Sequence, residues 1–147
     1  MNPCDDPEHA DEVLETLDQI CEDLEIVYFL TAGTALGFYR DEDYITNDND
    51  IDVKVICNET RFKFLMEALE EHGFVAAKEP GYETMHFRKH DILLDIKQAD
   101  GSEFHFDAVK LGDRVYRLPY PVEEYLTCLY GADWPVPQWK PLRSSKE

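Results

Sequence analysis

Two carboxylates open the most regular strand signal in the chain. Residues 51–57 (IDVKVIC) alternate apolar and polar side chains, the period of a strand with one buried face. Successive strand side chains point to opposite sides, so Asp50 and Asp52 share a face while Ile51, Val53 and Val55 point into a core. Two carboxylates held that close repel, and keeping both ionised is costly. A divalent cation that prefers oxygen ligands removes the cost. The strand therefore belongs in a sheet with one packed face and one open to a metal ion. Asp48, in the loop just before, either adds to the set or shapes the turn.

A third carboxylate is expected from a neighbouring strand, and Asp95 fits best. It interrupts the apolar stretch Ile92-Leu93-Leu94-Asp95-Ile96, where an unpaired charge is expensive. The alternative for Asp95 is a salt bridge to Lys54, Arg88 or Lys97. Upstream, residues 26–31 (IVYFLT) read as a buried strand. They lead into Gly33-Thr34 and a short helix, with Thr34 near its N-cap. Gly33 permits close backbone approach, and the Thr34 hydroxyl and the free amides of a helix start suit a phosphate. Arg40 follows, either as a planar fork for a nucleotide phosphate or as a balance for Asp41, Glu42 and Asp43. Arg88 and Lys97 lie on strands near Asp95 and are further candidates to face an anionic substrate. His86, His105 and Asp107 are more naturally sheet-face residues than ligands or bases.

The rest of the chain completes one domain over 1–147. Val13, Leu14, Leu17, Ile20, Cys21 and Leu24 have the spacing of an amphipathic helix over 9–24. A loop is expected over 41–50 and a helix over 59–72, stopped by Gly73. Strands are expected over 74–78, 83–89, 92–97 and 103–109, with a short one after the Gly-Asp turn at 112–113. A last helix covers 121–130 with Pro121 near its first turn, and a polar tail follows from about 140. This order implies an α/β or α+β fold with one mixed central sheet flanked by helices.

The formal net charge of -18 argues against binding to nucleic acid or an anionic membrane. The first 25 residues hold much of that excess and no Lys or Arg, which reads as a solvated helix face, with an acidic docking surface the lesser reading. Cys4, Cys21, Cys57 and Cys128 lack zinc-site spacing, and Cys21 and Cys57 read as buried thiols. No apolar run reaches membrane-spanning length. These features make a cytoplasmic protein the expectation. They leave the oligomeric state open.

Gly33-Thr34-Ala35-Leu36-Gly37, Arg40, Tyr44-Ile45 and Asp48-Asn49-Asp50-Ile51-Asp52-Val53 together resemble the signature of the LicD family, which includes fukutin-related proteins. Its usual form is G-G-T-x-L-G-x-x-R, followed by a Phe-Ile-Pro-Trp-like step and D-D-D-I-D. Tyr125-Leu126, Tyr130-Gly131, Asp133-Trp134 and Pro137 resemble that family's closing segment, and Asp95 stands where it has an Asp in a hydrophobic strand. The resemblance spans about 26–137. Ala32 replaces the first Gly, Thr46-Asn47 replaces Pro-Trp, and Asn49 interrupts the acidic run.

The resemblance implies a nucleotidyltransferase fold and transfer of a phospho-alcohol, such as phosphocholine, from a CDP-linked donor to a sugar hydroxyl. It implies Mg²⁺ (or Mn²⁺) on Asp50, Asp52 and Asp95, and donor phosphates on Gly33, Thr34 and Arg40; Arg88 is a further phosphate candidate from its strand position alone. The partners would be a nucleotide-linked donor and a small-molecule or glycan acceptor. One alternative is an antibiotic-modifying nucleotidyltransferase that moves NMP from an NTP. Another is a non-catalytic binding module that retains the fold. A nucleic-acid polymerase would need a basic track that the chain lacks.

Overall fold

The computed structural model describes residues 2–46, 48–77, 84–99, 101–102 and 105–137. The expected polar tail, and the strand ends expected at 78, 83 and 103–104, lie outside them.

After a 3-10 turn at Pro3–Asp5, helix α1 covers Pro7–Leu24. Ala10, Val13, Leu14, Leu17, Ile20 and Cys21 form its buried stripe, as the 3.6-residue spacing requires. Glu25 ends it in the left-handed region (φ 57°). Strand β1 is Val27–Leu30, helix α2 is Ala32–Arg40, and strand β2 is Ile51–Ile56. Helix α3 (Glu59–Glu71) starts at Asn58, whose side chain accepts the Arg61 N–H, a normal N-cap. Strands β3 (Val75–Ala76), β4 (Thr84–Lys89) and β5 (Ile92–Ala99) follow. Strands β6 (Phe106–Leu111) and β7 (Arg114–Pro119) and helix α4 (Val122–Tyr130) complete the elements.

The main sheet has the order β1-β2-β5-β4-β3. β2 and β5 are parallel, and the other neighbours are antiparallel, so the sheet is mixed. Ile51, Val53, Val55, Leu94, Ile96, Met85 and Phe87 are buried on the face toward α1 and α3, where the core sits.

Three expectations are corrected. β6 and β7 do not extend the main sheet; they pair with each other as a second, two-stranded sheet. This hairpin packs across β1, with Phe106 against Phe29 at 5.1 Å between ring centroids and Tyr116 and Leu118 buried. It covers apolar surface that joining the sheet edge would have left bare. Strand 74–78 shrinks to two described residues, and Cys57 is only half-buried.

The acidic helix is also more than a solvated face. Asp11 and Asp18 accept hydrogen bonds from the Tyr44 and Tyr28 hydroxyls at 2.7 and 2.8 Å. Glu12 meets His90 at 2.6 Å, and Arg114 approaches Glu15 and Asp18 at 3.6 and 3.4 Å. Much of the charge fastens α1 to the loop before β2, the β4–β5 turn and the β6–β7 hairpin.

Candidate active site

The open end of β2 gathers carboxylates. Ligand oxygens of Asp48, Asp50 and Asp52 all lie within 4.8 Å of one another. Asp48 thus joins the pair read from the strand alternation. The register pairs Asp52 with Asp95 across the parallel β2–β5 contact, and Asp95 with His86 across β5–β4. Asp95 is 9% exposed, and its Oδ1 makes no hydrogen bond. His86 Nε2 stands 3.5 Å from that oxygen. None of the three salt-bridge partners considered for Asp95 is the group beside it.

Electrostatics set this cluster apart from the other acids. Burial, followed by the Asp50 charge, pushes the Asp48 carboxyl up to about 7. Burial, followed by the charges of Asp50, Asp48 and Asp95, pushes Asp52 up to about 8. Asp50 is raised by burial and then by Asp95, while His86 and Lys97 pull it down. These are carboxylates crowded where water cannot relieve their repulsion. Hard oxygen donors in mutual reach, beside a buried oxygen that makes no hydrogen bond, fit a divalent cation such as Mg²⁺ or Mn²⁺.

The strand-to-helix turn differs from its expected form. Helix α2 starts at Ala32 with Thr31 as N-cap. Thr34 therefore sits inside the first turn, only 1% exposed. Its Oγ1 accepts the Asp52 N–H at 2.9 Å, and the Thr31 N–H donates to the Asp52 carbonyl at 3.0 Å. The Thr34 hydroxyl is spent on holding the Asp52 backbone in place. Gly33 allows a close approach, but the approaching group is Asp48: a Cβ at Gly33 would lie 2.4 Å from Asp48 Oδ2. Ala32 has φ 48°, a left-handed conformation that favours glycine.

The Arg40 fork closes on its neighbour, Nε and Nη2 donating to Asp41 at 2.8 and 2.7 Å. Its Nη1 donates to the Trp134 carbonyl at 3.2 Å. Arg88 is exposed and turns to Asp91 in the β4–β5 turn at 3.4 Å, so it stands outside the cluster. Asp107 accepts the Val122 N–H at 2.8 Å and caps α4. The His105 ring stands beside Tyr120, 6.0 Å between centroids.

Helix α4 brings the residues that local patterns could not place. The Tyr125 hydroxyl accepts the Ala32 N–H at 2.7 Å, at the mouth of the site. Burial, then the charges of Tyr125, Asp48 and Asp52, push the Tyr130 hydroxyl up to about 12. The Tyr39 hydroxyl donates to Glu123 at 2.6 Å and its ring meets Trp134. The tyrosines at 125 and 130 stood out in the sequence only through the closing-segment resemblance.

The family model for the LicD/FKTN/FKRP nucleotidyltransferase domain matches residues 25–118; the segment at 125–137 lies beyond that span. Among curated proteins, the chain is similar to mouse Ribitol-5-phosphate transferase FKTN, at 24% identity over 89% of this chain. It spans about a third (35%) of that relative's length. Among solved structures it is similar to the lincosamide antibiotic adenylyltransferase LnuA with lincomycin bound. That match has a TM-score of 0.62 and 16% identity over 87% of this chain and 89% of that one. ANT(2")-Ia in complex with adenylyl-2"-tobramycin gives a TM-score of 0.56 and 16% identity, over 84% of this chain and 80% of that one. The nucleotidyltransferase fold expected from the sequence is the fold observed. Among the described residues, no helix is long and apolar enough to cross a membrane.

Proposed function

The chain belongs to the LicD/FKTN/FKRP nucleotidyltransferase family, and on that premise we propose that it is a divalent-metal-dependent phosphotransferase. It would move a phospho-alcohol, of phosphocholine or alditol-phosphate type, from a CDP-linked donor to a sugar hydroxyl and release CMP. The observation that carries the proposal is the acid trio at 48, 50 and 52 beside Asp95, whose buried Oδ1 makes no hydrogen bond. Asp50 and Asp52 would hold the cation, Asp48 would join them, and Asp95 would complete the set. A bound cation would offset the charge that develops on the transferred phosphoryl group.

The other roles belong to the chain's own groups. Asp95 is the carboxylate we assign to taking the proton of the incoming hydroxyl. The amides of Gly33 and Thr34, in the first turn of α2, are assigned to the donor phosphates, with the Thr34 hydroxyl reserved for the Asp52 backbone. Arg40 would reach the donor only by releasing Asp41, and Arg88 only by leaving Asp91. A net charge of -18 is compatible with a polyanionic donor because the cation mediates the contact.

A second reading, transfer of NMP from an NTP to a small molecule, is favoured by the near full-length match to LnuA. Incubation with Mg²⁺ and a panel of CDP-alcohols and NTPs separates the two: CMP release supports the first, pyrophosphate the second. Asp52→Asn should abolish turnover in either case. A wild-type protein that binds neither metal nor nucleotide by calorimetry would leave only a non-catalytic module.

A further inference from the structure

The register that pairs Asp52 with Asp95 also pairs Lys54 with Lys97. Across β4, Thr84 lies opposite Lys97 as His86 lies opposite Asp95, and across β1 Phe29 lies opposite Lys54. Directly paired residues of neighbouring strands share a face. The face away from α1 and α3 therefore carries two rows. One is acidic, Asp52–Asp95, ending at His86. The next, about 6.6 Å further along the strands, sets two lysines side by side.

Like charges directly opposite each other destabilise a sheet. Strands lie only about 4.8 Å apart, so the two lysine stems start as neighbours. Lys97 is exposed and Lys54 half-buried. The chain has 14 basic residues against 32 acidic ones, yet two of the 14 stand together one row from the carboxylate centre. The Lys97 charge already reaches that centre, where it helps hold the Asp50 carboxyl down.

We propose that Lys54 and Lys97 form a phosphate-binding shelf on the sheet face away from α1 and α3, beside the β6–β7 hairpin and one row from the carboxylate centre. Its ligand is a phosphate ester or diphosphate rather than a neutral sugar. The phosphate has two possible sources: the second phosphate of the nucleotide-linked donor, or a phosphate carried by the acceptor. The link between shelf and reaction rests on the phosphotransfer reading above, whereas the shelf itself rests on the register.

The test is calorimetry on the full chain with saturating Mn²⁺, comparing wild type, Lys97→Gln and Lys54→Gln/Lys97→Gln. The probes are CMP, CDP, glycerol 3-phosphate and glycerol. If the donor supplies the phosphate, CDP affinity falls at least tenfold in the double variant while CMP affinity holds. If the acceptor supplies it, glycerol 3-phosphate affinity falls at least tenfold and glycerol is bound by neither protein. In both cases the loss weakens as salt rises, Mn²⁺ affinity is retained, and Lys97→Gln alone gives part of the effect without a lower melting temperature. Wild-type binding of glycerol 3-phosphate without binding of CMP or CDP would keep the shelf and remove the nucleotide reading. Equal affinities in all three proteins, or no binding of any phosphate probe by wild type, would overturn the shelf.

Discussion

A metal ion entering the trio must displace protons. With Asp48 at about 7 and Asp52 at about 8, the first is about half protonated at pH 7 and the second about nine-tenths protonated. Cation binding requires the ionised carboxylates. Titration with Mn²⁺ at pH 7 should therefore release about one to two protons, and almost none at pH 10. Affinity should rise with pH up to about 8 and then level off. Calorimetry in PIPES, HEPES and Tris, whose ionisation enthalpies differ, counts those protons from the slope of observed enthalpy against buffer enthalpy. The same shifts govern the metal-free protein. Both folded-state values lie above the unfolded carboxylate value of about 3.9, so the folded state binds more protons between about pH 4 and 8. Stability must fall as pH rises through that window and stay flat above it. Saturating Mn²⁺ should remove the fall, and Asp52→Asn should reduce it. Tight Mn²⁺ binding at pH 7 with no proton release would refute the reasoning. So would a metal-free protein that melts higher at pH 8.5 than at pH 5.5.

Ala32→Gly should relieve the left-handed strain at φ 48° and stabilise the protein by about 1 kcal/mol, raising Tm by roughly 2–4 °C in differential scanning fluorimetry; an unchanged or lower Tm would contradict this. Tyr125→Phe leaves the Ala32 N–H without its acceptor and should cost about 1–2 kcal/mol in urea unfolding; a neutral result would mean water replaces the phenol. Asp107→Ala removes the cap on Val122 and should cost about 1 kcal/mol by the same measurement, with Mn²⁺ affinity unchanged.

The parts of the fold legible in the sequence are those set by near-neighbour periodicity. The α1 stripe, the β2 alternation and the apolar strand around Asp95 each announce a buried face within a few residues. They fixed Asp50, Asp52 and Asp95 as candidates, and the register places 52 and 95 side by side. The features that local patterns leave open depend on what arrives from elsewhere in the chain. The Thr34 hydroxyl looked free until β2 brought it the Asp52 N–H. The close approach that Gly33 permits is made by Asp48, folded onto it from the loop. Of the two readings of Arg40, the balance for Asp41 is the contact the fold makes, while Nη1 turns to the Trp134 carbonyl brought in from the end of the described chain. β6 and β7 alternate like any sheet strand, and only the apolar surface over β1 decides that they form their own sheet. Tyr125 and Tyr130 enter the site through α4, docked from the far end of the described chain.

The parallel contact between β2 and β5 sets when the proposed site can be assembled. Parallel neighbours need a crossover, and here it comprises α3, β3 and β4, all lying between residues 52 and 95. No nascent fragment that ends before β5 can own the complete ligand set. Loop closure over that distance is a cost that local contacts cannot repay until the whole crossover docks. Full affinity of the proposed cation site would thus come late on the folding path, and a luminescent lanthanide offered to the trio and Asp95 would report when that crossover has closed.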